Sequence, residues 1–262
     1  MNELHITLYQ QDIIWGDPEA NRRRVEETLA SRHSPALPGT PLVTDIFVVP
    51  ETFTTGFGDH MATLAEDQDG PTLQWARQMA AQYDILFIGT WIVREGDKCY
   101  NRLHWVFPDG TFSYYDKAHT FRPSGEYNII SRGTRREVFE YKGWRIKPAV
   151  CYDLRFPRWL RNDNMEYDLL LVCANWPGSR HEAWTTLLKA RAIENLCYVL
   201  GCNRSGVDGV GGKYTGNSAL IDYKGLPLTE AEAGADQTVS FTLDKGKLDT
   251  FRNNWPLYLD FD

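Results

Sequence analysis

The chain has 262 residues, of which 42% are hydrophobic and 13% aromatic, so it can bury a large core and is not expected to be disordered. Its formal net charge of -7 leaves no basic surface of the kind that binds nucleic acid or an anionic membrane, and we predict neither partner. No apolar run approaches the roughly 18 residues that a membrane-spanning helix needs.

The cysteines and the N-terminus favour a cytoplasmic protein. The chain has five cysteines, an odd number, and no two of them form a CxxC pair, unlike the disulfide framework of a secreted domain. The first residues lack the basic region, the apolar core and the small-residue cleavage site of a signal peptide. We therefore expect a reducing compartment, in which most of the cysteines are buried apolar groups.

Strands and helices are predicted to alternate along the chain. We predict strands where apolar residues alternate or run together, and helices where they recur every three or four residues. The predicted strands are 4–8, 45–49, 85–93, 100–107, 112–116, 137–141, 144–150, 169–174, 197–202, 218–223 and 238–243. The predicted helices are 22–29, preceded by an N-cap at Asp17 and a proline at the first helical position, 73–83 and 182–195.

The same pattern predicts how these elements are arranged. Strands 100–107 and 112–116 should form one hairpin, and strands 137–141 and 144–150 another. Segment 34–41, with three prolines and a glycine, lies too near the N-terminus to divide domains and is predicted to be a loop. We expect residues 1–262 to form a single domain of the α/β class, folded as a layered sandwich.

Three residues suited to acyl-transfer chemistry each follow a β-rich run: Glu51, Lys117 and Cys151. If their strands lie side by side in one sheet, the strand ends meet at one edge, where the active sites of open α/β sheets form. A thiol with a pKa of about 8.5 needs a base or a cation to react as thiolate. A carboxylate can take the proton, and an ammonium can stabilise an oxyanion. The spacing alone is more typical of two solvated loop residues and a buried cysteine.

The three residues lie in the segments 49–53 (VPETF), 115–119 (YDKAH) and 150–157 (VCYDLRFP). These segments resemble the signature segments of the nitrilase, or carbon–nitrogen hydrolase, superfamily. The likeness continues through 174–177 (ANWP), 189–195 (KARAIEN) and 201–204 (GCNR). The six segments occur in the family's order and cover nearly the whole chain.

The resemblance implies a four-layer α-β-β-α sandwich that commonly dimerises through one helical layer, so we expect a homodimer or a larger homo-oligomer. It implies hydrolysis of non-peptide amides or nitriles through a cysteine thioester, without a cofactor. By position, Glu51 would be the general base and Cys151 the nucleophile. Lys117 and the backbone N–H of Tyr152 would form the oxyanion hole. Glu126 stands where many members carry a second glutamate.

The residues in these segments indicate which branch of the superfamily the chain resembles. CYDLRFP together with ANWP resembles the omega-amidases, which convert 2-oxoglutaramate and 2-oxosuccinamate into the 2-oxo acids and ammonia. True nitrilases usually carry Trp-Glu after the cysteine, where this chain has Tyr152 and Asp153. Deaminated-glutathione amidases share much of the same wording and are the main alternative. A carbamoyl hydrolase of the same superfamily is another, and an inactive binding protein should have lost one of the three residues.

Arg155 is the predicted anchor for a substrate carboxylate, because its planar guanidinium can pair both oxygens. An ion pair between Arg155 and Asp153 is an equally consistent interpretation. The reserve candidates for this anchor are Arg191 and Arg204. Asn175 and Trp176 are predicted to line the substrate pocket, although Trp176 fits equally well as a hydrophobic anchor at a strand end.

Two further motifs do not support other chemistries. Segment 206–214 is not a phosphate-binding loop, because Val207 stands where a glycine is required and Tyr214 replaces Ser or Thr. We predict a flexible loop there, at the rim of the site. His181 and Glu182 do not begin a zinc-binding HExxH motif, because position 185 is Thr, and the six histidines show no ligand spacing. We therefore predict no metal.

Overall fold

The computed structural model describes residues 2–32 and 44–260, and the predicted loop at 34–41 lies outside the described residues. The strands are β1 (Glu3–Gln10), β2 (Ile46–Val48), β3 (Glu66–Asp67), β4 (Leu86–Glu95), β5 (Lys98–Val106), β6 (Phe112–Asp116), β7 (Phe139–Tyr141), β8 (Trp144–Val150), β9 (Leu169–Ala174), β10 (Tyr198–Asn203), β11 (Ser205–Val207), β12 (Lys213–Thr215), β13 (Ala219–Ile221), β14 (Pro227–Glu230) and β15 (Gln237–Asp244). The helices are α1 (Pro18–Arg32), α2 (Pro71–Tyr83), α3 (Pro157–Leu160), α4 (His181–Asn195) and α5 (Lys245–Asn254).

The strands form two large sheets and a separate hairpin. The first sheet has the order β15-β1-β2-β4-β5-β6, with the short β3 beside β4, and the second has the order β14-β13-β10-β9-β8-β7. Each sheet contains three adjacent parallel strands, β1-β2-β4 in the first and β8-β9-β10 in the second. Both predicted hairpins are present, as β5–β6 and β7–β8. Strands β11 and β12 pair with each other, and a single parallel bridge joins Ser205 of β11 to Asp12, beyond the end of β1.

Three apolar layers hold the sheets and helices together. The inner faces of the two sheets pack on each other through residues such as Ile6, Ile88, Ile146 and Leu171. The outer face of the first sheet is covered by α1 and α2, and the outer face of the second by α4. Strands buried on both faces explain the near-continuous apolar runs in the sequence. The arrangement is the predicted four-layer α-β-β-α sandwich.

Local sequence signals correctly predicted where three of the helices begin. The Asp17 carboxylate accepts a hydrogen bond from the backbone N–H of Ala20 at 3.0 Å, which is the predicted cap of α1. Helices α2 and α4 begin within two residues of their predicted starts. No helix in residues 2–32 and 44–260 is long and apolar enough to cross a bilayer.

Two predictions about the arrangement were wrong. The strands that precede the three candidate residues do not lie in one sheet, because β2 and β6 belong to the first sheet and β8 to the second. The site is therefore assembled across the sandwich. Segment 206–214 is not simply a loop, because Ser205–Val207 and Lys213–Thr215 pair as the hairpin β11–β12.

Candidate active site

Four strand ends deliver the polar residues of the site. Glu51 lies in the turn after β2, and Lys117 directly follows β6. Cys151 is the first residue of a 3₁₀ turn, Cys151–Arg155, that follows β8, and Asn175 directly follows β9. Because two of these strands come from each sheet, residues distant in sequence meet at one end of the sandwich.

One ammonium group is shared by two carboxylates at the centre of the site. The Nζ of Lys117 lies 2.8 Å from Oε1 of Glu51 and 3.0 Å from both carboxylate oxygens of Glu126, and all three side chains are buried. Burial alone would lower the pKa of Lys117, but the charges of Glu126 and Glu51 outweigh it and raise that pKa. Lys117 is therefore charged at any physiological pH.

The second glutamate differs from an ordinary ion-paired acid. Burial raises the pKa of Glu126, and Glu51 raises it further, while Lys117 acts in the opposite direction without cancelling them. Glu126 also accepts a hydrogen bond from the backbone N–H of Phe121, which fixes it to the loop after β6. The two acids and one ammonium carry one negative charge in excess when both acids are ionised.

Neighbouring amides hold the Glu51 carboxylate in place. Its Oε1 accepts a hydrogen bond from Nδ2 of Asn101, and its Oε2 accepts one from the backbone N–H of Asn175, each at 2.8 Å. The side-chain amide of Asn175 also donates to the backbone carbonyl of Glu51 and to Oγ1 of Thr52. Asn175, predicted to bind substrate, thus contacts Glu51, although it also lines the cavity described below.

Thr52, the residue after Glu51, has a left-handed backbone, with φ of 43°.

Cys151 is the partly exposed member of the five cysteines, since the other four are buried. Its Sγ lies 3.9 Å from the backbone carbonyl oxygen of Asn175. Burial raises the pKa of the Cys151 thiol well above its ordinary value, and Glu51 raises it further, whereas Lys117 lowers it. The thiol is therefore neutral at rest and needs a base when it reacts. Its backbone is left-handed, with φ of 46°.

A buried carboxylate connects the cysteine turn with the segment after Lys117. Asp153 accepts hydrogen bonds from the backbone N–H of Val150 at 3.0 Å and of His119 at 2.9 Å. It also accepts one from the Tyr115 hydroxyl at 2.8 Å. Nδ1 of His119 also lies 2.7 Å from Oδ1 of Asp153, and Arg155 forms no ion pair with Asp153 or with another described residue. The structure therefore contradicts the alternative interpretation of Arg155.

The cysteine opens into a cavity of about 490 Å³, within the usual size range of small-molecule sites. Six of the predicted site residues line it: Lys117, Cys151, Tyr152, Arg155, Asn175 and Trp176. Glu51 and Glu126 are not among its lining residues and contact Lys117 from within the protein. The hairpin β11–β12 contributes Asp208, Val210 and Tyr214 to the wall, as expected of the rim.

Aromatic rings surround the arginines of the cavity. The guanidinium carbon of Arg155 lies 4.8 Å from the ring centre of Trp176. Trp176 is buried and its indole N–H donates to the backbone carbonyl of Arg180 at 2.9 Å, so it is both a wall and an anchor. Arg180 also lines the cavity and was not singled out in the sequence, although it directly precedes α4 and follows the ANWP segment by three residues.

The two reserve arginines have structural partners and do not line the cavity. Arg191 donates to the backbone carbonyl of Leu154 at 2.8 Å. Arg204 donates to the backbone carbonyls of Ser205 at 2.9 Å and Ile13 at 3.1 Å. Within the part of the chain that the structure describes, no group of three or more His, Cys, Asp or Glu side chains could hold a metal ion.

Comparison with known proteins gives one consistent result. A sequence profile described as "Carbon-nitrogen hydrolase" matches residues 5–253. The chain is 41% identical over 262 residues to "Omega-amidase YafV" of Yersinia enterocolitica, covering 100% of this chain and 98% of that one. It is 32% identical over 240 residues to "2-oxoglutaramate amidase" of Bacillus subtilis, covering 89% and 88%.

Solved structures agree with the sequence comparison. The crystal structure of XC1258 from Xanthomonas campestris, described as a CN-hydrolase superfamily protein with an arsenic adduct in the active site, superimposes with a TM-score of 0.94. It is 42% identical to this chain and covers 100% of this chain and 98% of that chain. Nit3 of Saccharomyces cerevisiae has the same fold, with a TM-score of 0.87, 22% identity, and coverage of 98% of this chain and 95% of that chain.

Proposed function

Because the chain belongs to the carbon–nitrogen hydrolase family, we propose that it is an omega-amidase. It hydrolyses the terminal amide of 2-oxo dicarboxylic acid monoamides, such as 2-oxoglutaramate and 2-oxosuccinamate, to the 2-oxo acid and ammonia. The observation that carries this proposal is one buried ammonium, that of Lys117, bound by two carboxylates beside a partly exposed thiol. The names of the relatives that match over nearly their whole length support the substrate class.

In the first half of the reaction, Cys151 attacks the amide carbon of the substrate. Glu51 takes the thiol proton as the sulfur–carbon bond forms, which the neutral resting thiol requires. The carbonyl oxygen becomes an oxyanion and accepts hydrogen bonds from the Lys117 ammonium and the backbone N–H of Tyr152. As the carbon–nitrogen bond breaks, protonated Glu51 gives its proton to the nitrogen, and ammonia leaves a thioester on Cys151.

In the second half, water hydrolyses the thioester. Glu51 takes a proton from the attacking water, and the same donors stabilise the second oxyanion. Breaking the sulfur–carbon bond releases the 2-oxo acid, and the sulfur takes back the proton held by Glu51. Glu126 keeps Lys117 charged and directed at the oxyanion, which its two contacts of 3.0 Å with the ammonium support.

Arg155 anchors the far end of the substrate. Its guanidinium is half-buried in the cavity, stacks against Trp176, and has no carboxylate partner among the described residues. A substrate carboxylate supplies the missing charge, and the bidentate geometry fixes the distance from anchor to amide carbon. The lining by Trp176 and Asn175 supports a cavity that orients a short, flat acyl chain.

The wider setting follows from the same relationships. The profile match over residues 5–253 supports a single domain. Members of the family commonly dimerise through one helical layer, which supports a homodimer or a larger homo-oligomer. Four buried cysteines and one reactive one support a reducing, cytoplasmic location.

The test is a comparison of kcat/KM over a panel of amides, measured by chromatography of the products. The panel contains 2-oxosuccinamate, 2-oxoglutaramate, glutamine, asparagine, deaminated glutathione and a simple nitrile. We expect the two 2-oxo acid monoamides to be the best substrates. A higher kcat/KM for deaminated glutathione would contradict the proposal and assign the chain to the other amidase branch.

A further inference from the structure

A second arginine in the cavity resembles Arg155 in its surroundings. The guanidinium carbon of Arg180 lies 5.3 Å from the ring centre of Phe121, as that of Arg155 lies 4.8 Å from the ring centre of Trp176. Both arginines and both rings line the cavity that contains Cys151. A guanidinium stacked on a ring uses its face and leaves the N–H groups at its edge available to acceptors.

Neither guanidinium has an acceptor in the part of the chain that the structure describes. The two acidic residues of the cavity wall do not fill this role. Asp208 is occupied by the backbone N–H groups of Val210 and Gly212, at 3.0 and 2.7 Å, and by the Tyr214 hydroxyl, at 3.0 Å. Asp59 is exposed and forms no ion pair with a described residue. Two cationic forks therefore point to an anionic ligand with more than two acceptor oxygens.

The 2-oxo acid end of the substrate has this chemistry. Its carboxylate and the adjacent keto oxygen offer three acceptors close to one plane, and a single guanidinium fork can pair only two of them. We propose that Arg180 is a specificity-determining residue that binds this end together with Arg155. The inference rests on the proposed function and adds a residue that distinguishes 2-oxo acid amides from other amides.

The position of Arg180 connects this end of the substrate with the catalytic residues. Phe121, on which Arg180 stacks, donates its backbone N–H to Glu126, and Glu126 contacts the Lys117 ammonium. The ring of Phe121 also packs edge-on against Tyr152 at 5.0 Å. A substrate held by Arg180 is therefore held against the segment that carries Glu126.

The experiment replaces Arg180 by methionine and follows three amides. We expect kcat/KM for 2-oxosuccinamate to fall at least about tenfold, because a charged hydrogen-bond partner is lost. Succinamate, which keeps the carboxylate but lacks the keto oxygen, should lose less, and propionamide, which has neither, should change less than about twofold. Arg180→Lys should restore part of the loss, since it returns the charge without the planar fork.

Arg158→Met is the matched control, because Arg158 is an exposed arginine of α3 that does not line the cavity, and it should leave all three values unchanged. Thermal unfolding of each variant checks the fold. Equal losses for 2-oxosuccinamate and propionamide, or no loss for either, would overturn the inference. If the wild-type protein does not hydrolyse 2-oxo acid amides, the proposed function fails. The loss of kcat/KM for succinamate relative to that for propionamide in Arg180→Met still tests whether Arg180 binds an anionic substrate.

Discussion

Two buried clusters of charged side chains in this molecule have opposite compositions. In one, the single carboxylate of Asp168 contacts three cations. These are Arg145, Lys245 and Arg252, at 2.8, 2.7 and 2.8 Å. In the other, the single ammonium of Lys117 contacts two carboxylates, those of Glu51 and Glu126. We call these the Asp168 cluster and the Lys117 cluster.

The difference in composition sets what each cluster can do with a proton. Burial alone would raise the pKa of Asp168, but hydrogen bonds from Arg145 and Lys245 hold it well below its usual range. That charge is fixed, and it connects α5 and β8 to the start of β9. In the Lys117 cluster, the pKa of Glu126 and that of the neighbouring Cys151 thiol are both raised. In the Asp168 cluster, the excess of cations keeps the carboxylate ionised, and the cluster acts as a structural anchor. In the Lys117 cluster, the excess of acids beside a thiol provides groups that can accept and donate protons.

Removing the proposed nucleophile beside the Lys117 cluster should have the largest effect on activity. We expect Cys151→Ala to abolish hydrolysis, because no thioester can form, while costing only about 1 kcal/mol of folding free energy. Steady-state assays and urea unfolding measure the two effects. Cys202→Ala, which removes a buried cysteine elsewhere, should keep its activity. A tenth of wild-type activity left in Cys151→Ala would rule out the covalent route.

Replacing Glu51, the proposed base, or Lys117, which carries the ammonium, tests the cluster itself. Glu51→Gln should lower kcat by about 10²–10⁴-fold as a lost general base. Lys117→Met should lower it by about 10²–10³-fold as a lost oxyanion donor. The two should differ in stability, because Lys117→Met leaves two buried carboxylates without a counter-charge, at a cost of about 3–5 kcal/mol. Equal stability of the two variants in urea unfolding would argue that both carboxylates are neutral once the ammonium is lost.

Glu126→Gln sharpens the comparison, since it leaves one acid facing one ammonium. If Glu126 keeps Lys117 in its catalytic position, kcat should fall more than about tenfold with KM little changed. Glu95→Gln is the control, because Glu95 is a partly exposed acid that pairs with an arginine outside the cavity. A decrease of less than about tenfold would remove Glu126 from the catalytic set and leave it a residue that shapes the pocket.

Substitution in the Asp168 cluster should have the smallest effect on catalysis. Asp168→Asn should cost about 3–5 kcal/mol of stability, because three cations lose their buried counter-charge, while kcat stays within about twofold. Asp163→Asn, at an acid that is 53% exposed and 3.5 Å from Arg136, should cost less than about 1 kcal/mol. Urea unfolding and steady-state assays at 25 °C check both variants.

The same cluster has a pH dependence of known sign. The pKa of Asp168 is lowered in the folded protein, so its stabilisation is complete above the ordinary aspartate value of about 3.9 and is lost as pH falls below it. The stability gap between wild type and Asp168→Asn should therefore narrow from pH 5 towards pH 2. A difference in unfolding free energy that stays constant from pH 5 to pH 2 would show that the pKa of Asp168 is not lowered by folding.

Much of the sandwich could be predicted from sequence because its strands are buried on both faces. Strand β9 (Leu169–Ala174) is wholly buried and reads as an unbroken apolar run. Strand β14 (Pro227–Glu230) is largely exposed, and α5 buries only Leu248 and Arg252, so neither has an apolar pattern to detect. These two elements were missed for that reason.

The site was less accessible to sequence reasoning. Motifs point to Glu51, Lys117 and Cys151 one at a time, but they do not reveal that two sheets supply them. The sequence also does not separate Arg155, which has no ion pair with a described residue, from Arg191, which is hydrogen-bonded to a backbone carbonyl. Whether an arginine is satisfied depends on contacts between distant segments, and Arg180 was missed for the same reason.

The backbone at Cys151 has a consequence for which residues this position can accept. Cys151 and Thr52, the residue after Glu51, both have a left-handed backbone, with φ of 46° and 43°. This conformation costs a residue with a side chain about 1–2 kcal/mol, and glycine adopts it without that cost. On backbone grounds, folding favours glycine at position 151, whereas catalysis demands sulfur. A glycine at position 151 would relieve this backbone cost but remove the sulfur, so the strained backbone is a cost that selection for turnover retains.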